Sequence, residues 1–190
     1  MPKEGIFAKV LKTGAIKPGD KMKYLPKVIK VFIVTLSDRA SRGEYEDKSG
    51  PKIYEMISNY YKSQEMEHFI DHQVIPDDAH QLINLMNKAK EDMFDVVITT
   101  GGTGIGPRDI TVETIQPMLD KEIPGVMEMI RIKYGQEKPN ALLSRGVAGV
   151  MGNSLVYTLP GSVKAVQEYM TEILKTLQHL NYMLHEIDAH

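Results

Sequence analysis

The chain of 190 residues contains no cysteine. That excludes a disulfide framework, a thiolate metal site and a thiol nucleophile. It also lacks a surplus of one charge: 23 lysines and arginines face 25 aspartates and glutamates. A dedicated nucleic-acid binder normally carries a strong basic excess, so no nucleic-acid partner is expected. No apolar run approaches membrane-spanning length, which argues against a membrane partner. The opening Met1-Pro2-Lys3-Glu4-Gly5 has no apolar core of a secretion signal. Internal repeats and low-complexity segments are absent too. What remains is the composition of a cytoplasmic protein, with one domain of sizeable core and room for an appendage.

Against those absences stands one loaded stretch, residues 96–109. Val96, Val97 and Ile98 with Thr99 and Thr100 read as a fully buried strand. Gly101-Gly102-Thr103-Gly104-Ile105-Gly106 follows, and Pro107-Arg108-Asp109 closes it. Glycines let the backbone approach a ligand and turn through conformations other residues avoid. Clustered free amides suit an anion, most often a phosphate. Arg108 adds a forked cation for phosphate oxygens, and Asp109 a hard carboxylate suited to Mg²⁺. Neither familiar phosphate loop is present. Pro107 breaks the dinucleotide spacing counted from Gly102, and no Lys-Ser/Thr follows Gly106. A bare strand-to-helix turn needs the glycines but neither Arg108 nor Asp109.

Elsewhere, 28–36 is nearly continuous in apolar and β-branched residues and reads as a central strand, followed by a polar loop over 37–43. Asp47 or Ser49 opens a helix with Ile53, Met56, Ile57 and Tyr60 at helical spacing. A second strand covers 69–75. A helix after Pro76-Asp77-Asp78 carries Leu82, Ile83, Leu85, Met86 and Ala89. Helical segments are expected near 112–119 and 124–134. A hairpin joins 147–151 to 155–159 through Gly152-Asn153-Ser154. Ser162 caps a long amphipathic helix with Val163, Val166, Met170, Ile173, Leu174, Leu177, Met183 and Leu184 on one face. Regular strand–helix alternation from 28 to 111 predicts an α/β domain with a parallel, right-handed, helix-covered sheet. The loops 37–43, 76–78 and 101–109 each follow a strand, so they converge on one sheet edge, where ligands bind in such folds.

These residues resemble the MogA/MoaB family, the molybdopterin adenylyltransferases of molybdenum cofactor synthesis. The likeness runs through Leu36-Ser37-Asp38-Arg39-Ala40-Ser41, Asp47-Lys48-Ser49-Gly50-Pro51 and Ile75-Pro76-Asp77-Asp78. It continues through Thr100-Gly101-Gly102-Thr103-Gly104, Pro107-Arg108-Asp109, Ile123-Pro124-Gly125, Leu143-Ser144-Arg145, Ala148-Gly149 and Leu159-Pro160-Gly161-Ser162 with Lys164-Ala165. It covers 28 to the C-terminus. Val163 stands where family members often have proline, and Ile105-Gly106 fall at a variable position; neither removes a charged group. The resemblance implies a three-layer α/β/α domain with a mostly parallel central sheet. It also implies a homotrimer that adenylylates the terminal phosphate of molybdopterin from Mg-ATP, releases pyrophosphate, and hands its product to a MoeA-type molybdenum insertase. Two alternatives stay open: a tungsten-cofactor relative, or a non-catalytic molybdopterin-binding scaffold of the gephyrin type.

By that resemblance Asp77 and Asp109 are the catalytic and Mg²⁺-holding carboxylates. Asp77 has a second reading as a helix N-cap after Pro76, which Asp78 shares. Gly101, Gly102, Thr103 and Gly104, with Thr100 and Arg108, are expected to hold ATP phosphates. Ser37, Asp38 and Arg39 join the nucleotide side, against a plain solvated turn. Ser144 and Pro160-Gly161-Ser162 are expected to recognise the pterin or its phosphate, Ser162 at a helix N-terminus. Arg145 pairs either with phosphate or with a structural carboxylate. Glu128 reads as near the site or as a surface charge. His179, His185 and His190 lack metal-ligand spacing and read as solvated. Met127, Met129 and Met183 read as core or subunit-interface residues, and Tyr60-Tyr61 as packing.

Residues 1–27 fall outside the family pattern. Pro18-Gly19-Asp20 marks a turn with alternation on both sides, an expected β-hairpin resembling the last strands of a MOSC domain. A lone hairpin is marginal in water. It therefore packs on its own domain, packs on a neighbouring subunit, or moves.

Overall fold

The computed structural model describes residues 13–21 and 27–184. Strand β1 (Ile29–Leu36) starts the domain, and a single helical turn, α1 (Asp38–Ser41), sits inside the expected polar loop. Then come α2 (Ser49–Ser63), β2 (His68–Ile75), α3 (Ala79–Glu91) and β3 (Val96–Thr100). Helix α4 (Thr111–Ile115) is shorter than the segment expected near 112–119. It tightens into a 3-10 turn at Gln116–Met118, where Pro117 has no amide to continue an α-helix. A two-residue strand, β4 (Lys121–Glu122), leads into α5 (Pro124–Gly135) and a 3-10 segment at Pro139–Leu143. The hairpin β5 (Ala148–Met151) and β6 (Ser154–Leu159) precedes α6 (Val163–Leu184).

One six-stranded sheet runs β2-β1-β3-β6-β5-β4. Pairs β1–β2, β1–β3 and β3–β6 are parallel, and β4–β5 and β5–β6 antiparallel. Strand β1 is buried on both faces because its side chains alternate between two cores. Ile29, Val31 and Ile33 join α2, α5 and α6 on one side, around Ile53, Ile57, Ile130, Met170 and Ile173. Phe32, Val34 and Leu36 join α3 and α4 on the other, around Leu82, Met86, Val97 and Ile115. The expected three layers follow. Met127 is core, whereas Met129 and Met183 are exposed.

Of the N-terminal segment, only 13–21 is described, and the rest of the expected hairpin lies outside the described residues. The turn is there: Asp20 donates its amide to the Lys17 carbonyl at 3.1 Å, and Gly19 takes φ +95°. No strand forms within 13–21.

The chain steps from β1 outward to β2, then returns past β1 to β3. The loops after β1 and β3 therefore leave from the point where the winding reverses, which opens a crevice at the carboxyl ends of the strands.

Candidate active site

The glycine-rich loop is built into that crevice by sterics. Gly101 (φ +102°) lies so close to β1 that an added Cβ would stand 2.2 Å from the Leu36 carbonyl oxygen. A Cβ added to Gly102 (φ +63°) would stand 2.4 Å from the Thr111 hydroxyl. Only glycine meets both demands. Buried Thr111 clamps the loop: its hydroxyl donates to the Gly101 carbonyl at 2.8 Å, and its amide to the Gly102 carbonyl at 3.0 Å. The Thr100 hydroxyl donates to the Pro160 carbonyl at 2.9 Å, tying β3's end to the loop after β6. The Asp109 carboxylate curls over the loop and accepts the Gly106 amide at 2.8 Å.

On the other side of the crevice, Asp38 and Asp77 exchange backbone–carboxylate hydrogen bonds. The Asp77 amide donates to Asp38 Oδ1 at 3.1 Å, and the Asp38 amide to Asp77 Oδ2 at 3.3 Å. Arg108 joins them by pairing with Asp38 at 2.5 Å. The Asp77 amide and the Arg108 guanidinium hold the partly buried Asp38 carboxyl below its ordinary range. Asp77 goes the opposite way. Burial raises it first, and the negative charges of Asp38 and Asp109 raise it further. Asp77 is also free of capping duty, because Asp78 is the N-cap of α3 and accepts the Gln81 amide at 2.8 Å.

Two cavities flank the loop after β6. One, of about 520 Å³, is lined by Gly101, Gly102, Thr103, Gly104, Asp109, Ser144, Pro160, Gly161 and Ser162. The other, of about 490 Å³, is lined by Ser37, Arg39, Tyr45, Asp47, Ser49, Gly161 and Ser162. Gly161 and Ser162 form the shared wall. Ser162 accepts the Ala165 amide at 3.2 Å, so it caps α6 while lining both spaces. The Ser37 hydroxyl likewise accepts the Ala40 amide at 3.2 Å and caps α1. The expected site residues are thus gathered at one edge, although Thr100 is fully buried and spends its hydroxyl on Pro160. Arg145 takes the structural option, forking onto the Glu113 carboxylate and donating Nε to the Gly104 carbonyl at 2.8 Å. Glu128 and His179 are exposed.

Sequence reasoning did not single out Lys138, Asn140 and Tyr169, which line the larger cavity. They approach from α6 and the segment before β5, and no local pattern marks them. Among the described residues, no group of three acidic or histidine side chains is arranged to hold a metal alone. Mg²⁺ commonly takes only one or two protein carboxylates beside substrate phosphates and water, and Asp77 and Asp109 are hard oxygen donors of that kind.

The family model described as "Probable molybdopterin binding domain" matches residues 32–179. The chain belongs to this family. It is 39% identical over 159 residues to a molybdopterin adenylyltransferase of Pyrococcus furiosus, covering 81% of this chain and 89% of the relative. It is 36% identical over 155 residues to gephyrin of Dictyostelium discoideum, covering 78% of this chain but 21% of gephyrin. The crystal structure of the tungsten cofactor synthesizing protein MoaB from Pyrococcus furiosus superposes with a TM-score of 0.73 at 37% identity, covering 86% of this chain and 100% of that one. The three-layer architecture is therefore that of MogA/MoaB proteins.

Proposed function

We propose that this chain transfers the adenylyl group of Mg-ATP to the terminal phosphate of molybdopterin. A phosphate oxygen of molybdopterin attacks the α-phosphorus of ATP, a P–O bond forms, and the bridging P–O bond to the β-phosphate breaks as pyrophosphate leaves. Both reactants are anions, so catalysis consists of alignment and charge neutralisation. The observation that carries the reading is that Asp77 and Asp109 lie close enough at the strand ends for their charges to interact, with Asp109 and the glycine loop lining one of two adjacent cavities. The raised Asp77 carboxyl fits a site that is completed by a cation. Mg²⁺, held by Asp77 and Asp109, would neutralise the triphosphate when bound. The amides of 101–104 cradle phosphate oxygens. Ser37, Asp38 and Arg39 border the nucleotide side, with Arg108 fixed by Asp38. Ser144, Pro160, Gly161 and Ser162 border the pterin side.

The names of the similar proteins support this chemistry. A homotrimer fits the exposed apolar side chains of Met129 and Ile132 on α5 and of Leu142 and Leu143 on the segment packed against it. A MoeA-type insertase is the proposed acceptor of the product in the cytoplasm. No helix among the described residues is long and apolar enough to cross a membrane. Residues 1–27 are read as an extension outside the catalytic domain.

The test is a turnover assay with Mg-ATP and molybdopterin, following adenylylated molybdopterin by mass. Asp109→Asn is expected to slow product formation by about a hundredfold or more. Near-normal turnover in that variant refutes the assignment. The likeness to gephyrin favours one second reading, a carrier. Tight molybdopterin binding by the wild type without adenylyl transfer establishes it.

A further inference from the structure

The larger cavity contains more than the glycine loop and the Ser162 turn. Tyr169, 3% exposed, lines it from α6. Its hydroxyl is buried without a hydrogen-bond partner, with the hydroxyl of Ser144, another lining residue, beside it. A buried hydroxyl left unpaired is costly, and native structures rarely keep one without a use. Two lysines line the same cavity. Lys138 is held at 2.8 Å by Glu168, one turn along α6 from Lys164. The two ammonium groups are close enough that Lys138 pushes the Lys164 amine down. Placing two like charges together is unfavourable in the empty protein and becomes favourable around an anion.

We infer that Lys138 and Tyr169, together with Lys164, form a phosphate-oxygen subsite, with the Tyr169 hydroxyl as a donor at its floor and Lys138 as a specificity residue set by Glu168. The inference rests on the adenylyl-transfer reading, because the cavity also holds Asp109 and the glycine loop. The chemistry recognised is a phosphate group. Two sources offer one, the terminal phosphate of molybdopterin and the polyphosphate of ATP.

The experiment measures dissociation constants of molybdopterin and of Mg-ATP separately, by calorimetry, for wild type, Tyr169→Phe, Lys138→Gln and Lys138→Arg, with a melting curve for each. Tyr169→Phe is expected to weaken one ligand about threefold to tenfold while raising the melting temperature by about 2–4 °C, since the orphaned hydroxyl is gone. Lys138→Gln should weaken the same ligand about tenfold, and Lys138→Arg should restore most of it. Whichever ligand responds identifies the source of the phosphate. Raised stability with both affinities unchanged in Tyr169→Phe overturns the subsite and leaves the enzyme assignment standing. If the wild type binds neither ligand, the assignment fails and the subsite with it.

Discussion

Asp47 lies at the entrance to α2, and its carboxylate has no idle lone pair to spare. Oδ1 accepts the Ser49 amide at 2.9 Å, the Ser49 hydroxyl at 2.9 Å and the Gly50 amide at 3.1 Å. Oδ2 accepts the Thr35 hydroxyl at 2.7 Å and stands 3.2 Å from His72 Nε2. One side chain therefore ties β1, β2 and α2 together beneath the smaller cavity. Asp47→Ala removes a helix cap, which costs about 1 kcal/mol. It also leaves a mostly buried hydroxyl and imidazole short of a charged acceptor, adding about 2 kcal/mol. A total of about 3 kcal/mol corresponds to a fall in melting temperature of about 6–12 °C in a chain this long. The effect has a pH signature. Burial alone would raise the Asp47 carboxyl, but hydrogen bonds from His72, Thr35, Gly50 and Ser49 outweigh it and hold it well below the ordinary value of 3.8. A depressed folded-state pKa contributes stability that is full above the unfolded value and disappears as pH falls through the folded one. Thermal melting at pH 7 and in steps below pH 4 should show the gap between wild type and Asp47→Ala closing with acid. A gap under 2 °C at pH 7, or one that does not narrow in acid, refutes the reasoning.

Asp77→Asn should uncouple stability from activity: ionised Asp77 is less favoured in the fold than in the unfolded chain, so the variant melts higher at pH 7 and the gain shrinks as acid protonates the wild type, while turnover is lost. A lower melting temperature for Asp77→Asn at pH 7 contradicts this. Gly101→Ala meets the Leu36 carbonyl and an unfavourable φ together, so it should lose at least about 2 kcal/mol by denaturant unfolding. Glu172, buried on α6, accepts from Lys133 at 2.6 Å and Lys175 at 2.7 Å, and both lysines lower its carboxyl. Glu172→Ala should cost about 2 kcal/mol at neutral pH, read as a melting shift of about 4–8 °C that fades as pH falls below the ordinary glutamate range.

What was legible in the sequence follows from burial. Strands β1 and β3 are covered on both faces, so their sequences are runs of β-branched and apolar residues broken only by Lys30. Strand β2 is an edge strand whose His68, Asp71, His72 and Gln73 are only partly buried, and its pattern is correspondingly faint. Nothing marks β4, because two residues carry no period. The turn α1 hides in polar residues, since its capping by Ser37 is indistinguishable in sequence from a loop. The glycine loop announced itself because its backbone conformations exclude side chains. The resemblance favours Asp77 as the functional carboxylate, but residue types alone do not separate it from Asp78 as the helix cap. Their division of labour is set by geometry: Asp78 sits extended at φ −127° with its carboxylate on Gln81, which leaves Asp77 to face Asp38. Lys138 and Tyr169 were silent because only tertiary packing, of the segment after α5 and of α6, brings them to the cavity beside the glycine loop.

The same packing brings the two cavities onto one shared wall at Gly161 and Ser162. A Cβ added to Gly161 would lie 3.3 Å from the Gly101 Cα, so the loops after β3 and β6 touch backbone to backbone. Adjacent parallel strands force that meeting: Thr100 pairs with Leu159, and Gly101 donates its amide to the Leu159 carbonyl at 3.0 Å. Thr100 adds the hydroxyl bond to Pro160. The wall between the cavities is therefore as rigid as the sheet, and it is thin because both residues at the contact are glycines. Two anionic ligands placed on its two sides would have their phosphates brought together by the strand register, with little further motion required. That is the preorganisation an in-line transfer between two anions demands. Under the proposed reaction the acidic pair fits the same logic: Asp77 and Asp109 arrive from the loops after β2 and β3, on either side of β1, and one cation held by both would serve both ligands.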